Sequence, residues 1–136
     1  MKTIISASLL IGAVLAFSGC SAHSWWIAAD TVSTQPVSGR FPAHTHKVFL
    51  TDELLPASVK YESIGKIDAG KVTTCNTEEL LILIANGSRK AGADAVINLK
   101  TWRQPSGWSA NAPHGSGEII RIADPNSLVG LTGYWY

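Results

Sequence analysis

The N-terminus of this chain constrains the rest of it more than any other feature. Lys2 is the only charged residue before Asp30, and Ile4 to Phe17 behind it are apolar apart from small Ser and Gly. The stretch closes at Ser18-Gly19-Cys20. A basic start, an apolar segment of this length and small residues at its end describe a secretory signal peptide, not part of a folded core. The segment falls short of the ~20 apolar residues that would span a bilayer as a helix. Removing residues 1–19 from the 136-residue chain leaves 117, enough for one domain with its own core and too few for two.

The same cut sets the charge. The chain carries 11 Lys and Arg against 10 Asp and Glu, and loss of Lys2 makes them equal. A balance of zero without a basic cluster gives no electrostatic case for binding nucleic acid or an anionic membrane surface. Of the two cysteines, Cys20 lies at the cut and Cys75 has no second cysteine to pair with inside the chain. Cys75 is then a buried inert thiol, a free thiol, or half of an intermolecular disulfide.

Leu15-Ala16-Phe17-Ser18-Gly19-Cys20 resembles the bacterial lipobox, with Phe17 where Leu, Val or Ile is usual. The resemblance implies cleavage before Cys20, diacylglycerol on its thiol and acylation of the new amino terminus; Phe17 keeps an ordinary signal-peptidase cut as the alternative. At about 0.8 kcal/mol per buried methylene, two or three acyl chains anchor a protein stably. Ser21, where an Asp would retain such a protein at the inner membrane, is similar to the outer-membrane sorting signal of Gram-negative lipoproteins. The expected location is the outer membrane, with the domain facing the periplasm.

Residues 20–46 read as the lipidated cysteine and a flexible tether. Ser, Thr, Gly, Pro and His dominate Thr31 to His46 without an apolar period. As a coil, this tether would span about 25–30 Å root-mean-square. Trp25 and Trp26 stand close to the lipid; they suit either the membrane interface or a first strand packed on the domain.

Residues 47–136 read as the domain. Val59 to Ile67 alternates as a half-buried strand that Ala69-Gly70 ends. Asn76, with Glu79 three residues on, has the form of a helix N-cap and capping box. Leu80, Leu81, Ile84, Ala85, Ser88 and Ala91 then recur at helical spacing, and Gly92 suits the C-terminal cap. A rival hairpin at Asn86-Gly87 would need Ser88 to Gly92 as a strand, for which those residues are poorly suited. Ala95 to Arg103 and Gly117 to Ala123 read as strands, with Ala95, Ile97, Leu99 and Thr101 sharing one face. Asp124-Pro125-Asn126 is a turn. This order predicts an α+β domain: a small sheet of about three to five strands with one helix packed on one face.

Ala91-Gly92-Ala93-Asp94-Ala95-Val96-Ile97-Asn98, together with Ile64-Gly65-Lys66-Ile67, resembles the small α+β domain of the YbjQ family and of the RcsF-like envelope-stress lipoproteins. The resemblance runs from Val59 to Ala123. It places Cys75 like the cysteine between first strand and helix in the RcsF-like domain, while Thr101 and Arg121 stand where its partner cysteines would lie. The YbjQ label of heavy-metal binding would draw here on His23, His44, His46, Cys75 and His114. These lack the ligand spacing of a structural zinc site, so no metal and no cofactor is expected, with His44, His46 and His114 the weak candidates.

Cys75 lies just before the helix start, where free N–H groups lower a thiol's pKa, and His114 could serve it as a base only if folding brings the two together. Trp102, Trp108, Tyr134, Trp135 and Tyr136 make the second half aromatic, as core or as interface. No phosphate loop, nucleophile elbow, His-Glu-x-x-His or paired-carboxylate pattern occurs. The expected function is that of a non-enzymatic envelope lipoprotein acting by protein–protein interaction or self-association. A periplasmic ligand- or metal-binding module and a redox-sensitive thiol protein using Cys75 are the alternatives.

Overall fold

The computed structural model describes residues 31–36, 41–71, 76–106 and 109–136. Its elements are β1 (Thr31–Pro36), β2 (Phe49–Leu50), β3 (Tyr61–Gly70), α1 (Thr77–Lys90), β4 (Ala95–Ser106), β5 (Ser109–Ile122), a 3-10 turn (Pro125–Leu128) and β6 (Tyr134–Trp135). The strands form one sheet in the order β1-β3-β5-β4-β2-β6. All neighbours are antiparallel except β2 and β4, so the sheet is mixed. Among the described residues the α+β class with one helix is as read from the sequence, but the sheet has six strands where about three to five were expected. The extra ones are the two-residue strands β2 and β6, and β1; none is long or apolar enough to show a period of two.

β1 also corrects the tether. Thr31–Pro36 pairs along its whole length with Gly65–Gly70 of β3, so part of the segment read as linker belongs to the sheet. Residues 41–46 are likewise held to the domain: the His44 backbone N–H donates to the Arg89 carbonyl at 3.2 Å, at the end of α1. A Ser- and Thr-rich segment can pair through its backbone, which its side chains do not reveal.

α1 forms as its caps dictate. The Asn76 side chain accepts from the Glu78 N–H at 2.9 Å. Glu79 does not complete a capping box; it pairs with Lys71 at 3.4 Å. At the other end Ala93 N–H donates to Ser88 O and Gly92 N–H to Arg89 O, a Schellman closure with Gly92 at φ +80°. Leu80, Ile84 and Ala85 are fully buried against Ile64, Ile67, Val96, Leu99 and Ile119. Each large side chain so buried contributes about 1.5–3 kcal/mol. Gly87 costs helix propensity, and the packing explains its presence: a Cβ there would lie 2.5 Å from Val32 Cγ1 and 2.9 Å from Ile67 Cδ1.

A second, smaller core on the opposite face joins Phe49, Val59, Ala95, Ile97, Ile120, Ile122 and Leu128, with Leu55 and Leu131 packed against it. Two bulges decide which residues face which core. One, between Ser63 and Gly65, brings Ile64 and Ile67 to the helix face together. The other, between Ile97 and Lys100, contains Asn98 in the left-handed region at φ 49°. It turns Leu99 to the helix face, away from Ala95 and Ile97, so the single face read for those residues is corrected. β3 also runs through Gly70, and β4 and β5 extend as a hairpin to Ser106 and Ser109, beyond the Arg103 and Gly117 limits read from the sequence. Among the described residues, no helix is long and apolar enough to cross a membrane.

Candidate functional site

Two polar constellations stand out, one structural and one open to solvent. The first lies where α1 passes into β4. Asp94 Oδ2 accepts from the Ile122 N–H at 3.0 Å and lies 3.4 Å from Arg121 Nε. Its other oxygen lies 3.8 Å from His44 Nε2, which donates to the Ala93 carbonyl at 2.8 Å. Arg121 donates to the Gly92 carbonyl at 3.0 Å and sits 5.2 Å from the centre of the Phe41 ring. Each group satisfies a neighbour, and together they fasten residues 41–46 and β5 to the helix end. The Gly-Ala-Asp phrase therefore works as a clasp: Gly92 makes room for Phe41, and Asp94 gathers the donors.

The second constellation lies on the sheet face opposite α1, beyond the smaller core. Alternation along β3, β5 and β4 brings Lys66, Asp68, Ser116, Glu118 and Lys100 out on that face. Lys66 is the register partner of Glu118, and Ser116 stands between Asp68 and Lys100. With Gln35 and Asn98 these side chains line an open groove of about 450 Å³. One row further along β4 and β5, Trp102 stacks on His114 with ring centroids 6.0 Å apart and planes at 23°. The Trp102 indole N–H donates to Gln104 Oε1 at 2.8 Å, and His114 Nε2 shares a 2.9 Å hydrogen bond with the Ser106 hydroxyl. Burial lowers the His114 pKa, since the charged imidazolium loses hydration there.

The residues singled out from the sequence are thus scattered. His44 and His46 come together, ring centroids 5.4 Å apart, at the end of α1. His114 is on the open face of the sheet instead. Among the described residues no three metal-ligating side chains form a group. Of the aromatics, Trp135 packs on Phe49 at 5.2 Å, while Tyr134 is 68% exposed. Tyr136 is tied down through its backbone, exchanging hydrogen bonds with Val48 and accepting from Arg89. Cys20, His23, Trp25, Trp26, Cys75 and Trp108 lie outside the described residues.

The groove charges escaped the sequence reading. Lys66 and Asp68 alternate visibly with Ile67 and Ala69. In β5, however, the inward partners of Ser116 and Glu118 are Gly115 and Gly117, which carry no hydrophobic signal. Comparison of the chain with protein-family models, with curated proteins and with solved structures finds no match in any of the three.

Proposed function

We propose that this is a bacterial envelope lipoprotein, anchored through Cys20 in the outer membrane with its domain on the periplasmic side, that works by binding and not by catalysis. The observation that carries the binding half is the groove of Lys66, Asp68, Lys100 and Glu118 on the sheet face away from α1. A core of apolar residues with a polar rim is what protein–protein interfaces present. This face has charges of both signs at its centre, which favours a ligand-binding module over a protein-docking one.

The anchor half rests on the N-terminal sequence, and the fold adds a distance to it. Only Ser21 to Asp30 separate Cys20 from β1, so the edge of the sheet stands at most about 40 Å from the lipid. Gln35 of β1 lines the groove, so the proposed binding face would lie beside the strand nearest to Cys20 in the chain.

The anchor is tested in cells grown with a clickable palmitate analogue. The full chain is expected to take up label and fractionate with the outer membrane, and Cys20→Ser to lose both. Label retained in Cys20→Ser, or a wild-type chain recovered free in the periplasm, would refute lipid anchoring.

A further inference from the structure

The groove and the ring stack beside it share one face, and their chemistry is specific enough to name a ligand. Lys66, Asp68 and Lys100 are exposed and Glu118 is half-buried. Directly opposed residues on neighbouring antiparallel strands have Cβ atoms about 5 Å apart, close enough for a Lys–Glu pair to meet. Yet among the described residues none of these four charges forms an ion pair within 4.0 Å. They alternate in sign around a patch of about 10 by 7 Å, from strand spacing across the sheet and residue rise along it. Two ammonium and two carboxylate groups are therefore held side by side and left unneutralised by each other.

Trp102 continues the patch. It is 42% exposed, and its ring is fixed from both sides, by the Gln104 hydrogen bond and by the His114 stack. His114 is fixed in turn by Ser106. A ring held in place before a ligand arrives loses little freedom on binding. Its exposed apolar surface suits the C–H face of a sugar, which is flat and apolar while its edges carry hydroxyls.

We infer that this face binds a peptide-bearing amino-sugar glycan, the chemistry of the bacterial cell wall. Trp102 takes a sugar face, Lys66 and Lys100 take the carboxylates of the peptide stem, and Asp68 and Glu118 take its ammonium group and sugar hydroxyls. Charge complementarity selects this occupant. Nucleic acid would meet two carboxylates, and an apolar protein surface would strand all four charges. A wall fragment carries both charge signs and a stacking face on one molecule. The groove is open to solvent, which admits a segment of polymer. This assignment rests on the envelope-binding reading above.

The test is calorimetric titration of the full lipidated chain in detergent micelles with disaccharide–tetrapeptide fragments released from bacterial wall by a muramidase. One-to-one binding is expected. Trp102→Ala should weaken it about tenfold, the size of one lost stacking contact. The double variant Lys66→Gln, Lys100→Gln changes only exposed positions and should weaken it to a similar extent while unfolding at the wild-type temperature. Lys60→Gln, away from the groove, should bind like wild type. Absence of binding by the folded wild-type chain at millimolar fragment, or wild-type affinity in both groove variants, would overturn the proposal. The two readings fail separately. A photocrosslinker at position 100 that captures only a protein in cells refutes the glycan and keeps the binding face. Absence of palmitate label from the wild-type chain refutes the anchor, and the same titration on the unlipidated wild-type chain still tests the glycan.

Discussion

Gly92 holds φ +80° at the end of α1, and a Cβ there would meet Phe41 Cβ at 2.6 Å and the Phe41 backbone at 2.9 Å. Two independent penalties therefore fall on any side chain at this position. The left-handed conformation costs roughly 1–2 kcal/mol for an L-residue, and the contact must be relieved by moving backbone. Gly92→Ala is expected to lower the unfolding free energy by about 2–3 kcal/mol in urea titration, within the range for a lost cap combined with strain. A change under about 0.5 kcal/mol would show that Phe41 is not seated against the helix end. Asp94, two residues on, completes the junction, since one carboxylate serves Ile122, Arg121 and the neighbourhood of His44. The sequence shows the phrase Gly-Ala-Asp; it does not show that the groups gathered at Asp94 come from residues 28 positions later and 50 earlier.

At the scale of elements, α1 is the part most governed by its own residues. Asn76 caps it locally, Glu78 and Glu79 lie in its first turn, and Arg89 and Lys90 in its last, in keeping with the helix dipole. Asn76→Ala should cost about 1 kcal/mol, read as a lower urea midpoint with unchanged slope. A midpoint equal to wild type would mean that tertiary packing alone holds the first turn. The capped helix is legible in the sequence because caps and period act within a few residues. The strands are legible in proportion to length and hydrophobicity. β3 and the first half of β4 show alternation, whereas β2 is two residues whose partners are Ala95 and Val96 on one side and Trp135 and Tyr134 on the other. The bulge at Asn98 is invisible for another reason. An extra residue in one strand has meaning only against its partner, and here it also frees the N–H groups of Asn98 and Leu99 to bond Glu53 and Thr51.

At the scale of the whole molecule, His114 is one group that couples stability to pH. Its folded pKa is depressed by burial below the ordinary 6.5, so the unfolded chain takes up this proton at higher pH than the folded one. The stability involved is fully present above pH 6.5 and is lost as pH falls through that value towards the folded pKa. Urea unfolding at about pH 7.5 and about pH 5.5 should show a lower midpoint in acid, and His114→Gln should shrink the difference. A difference unchanged in that variant would assign it to other groups. Composition and local pattern alone determined the α+β class and its capped helix, and they are the whole basis for proposing an export signal and lipid attachment at Cys20. Each of these depends on residues next to one another in the chain. The tertiary structure alone decided that Thr31–Pro36 belongs to the sheet and that Asp94 is a clasp. It also set Lys66, Asp68, Lys100 and Glu118 around one groove beside Trp102. Those relations depend on register between strands far apart in sequence, and register is fixed by packing two cores at once, which no local window of residues contains.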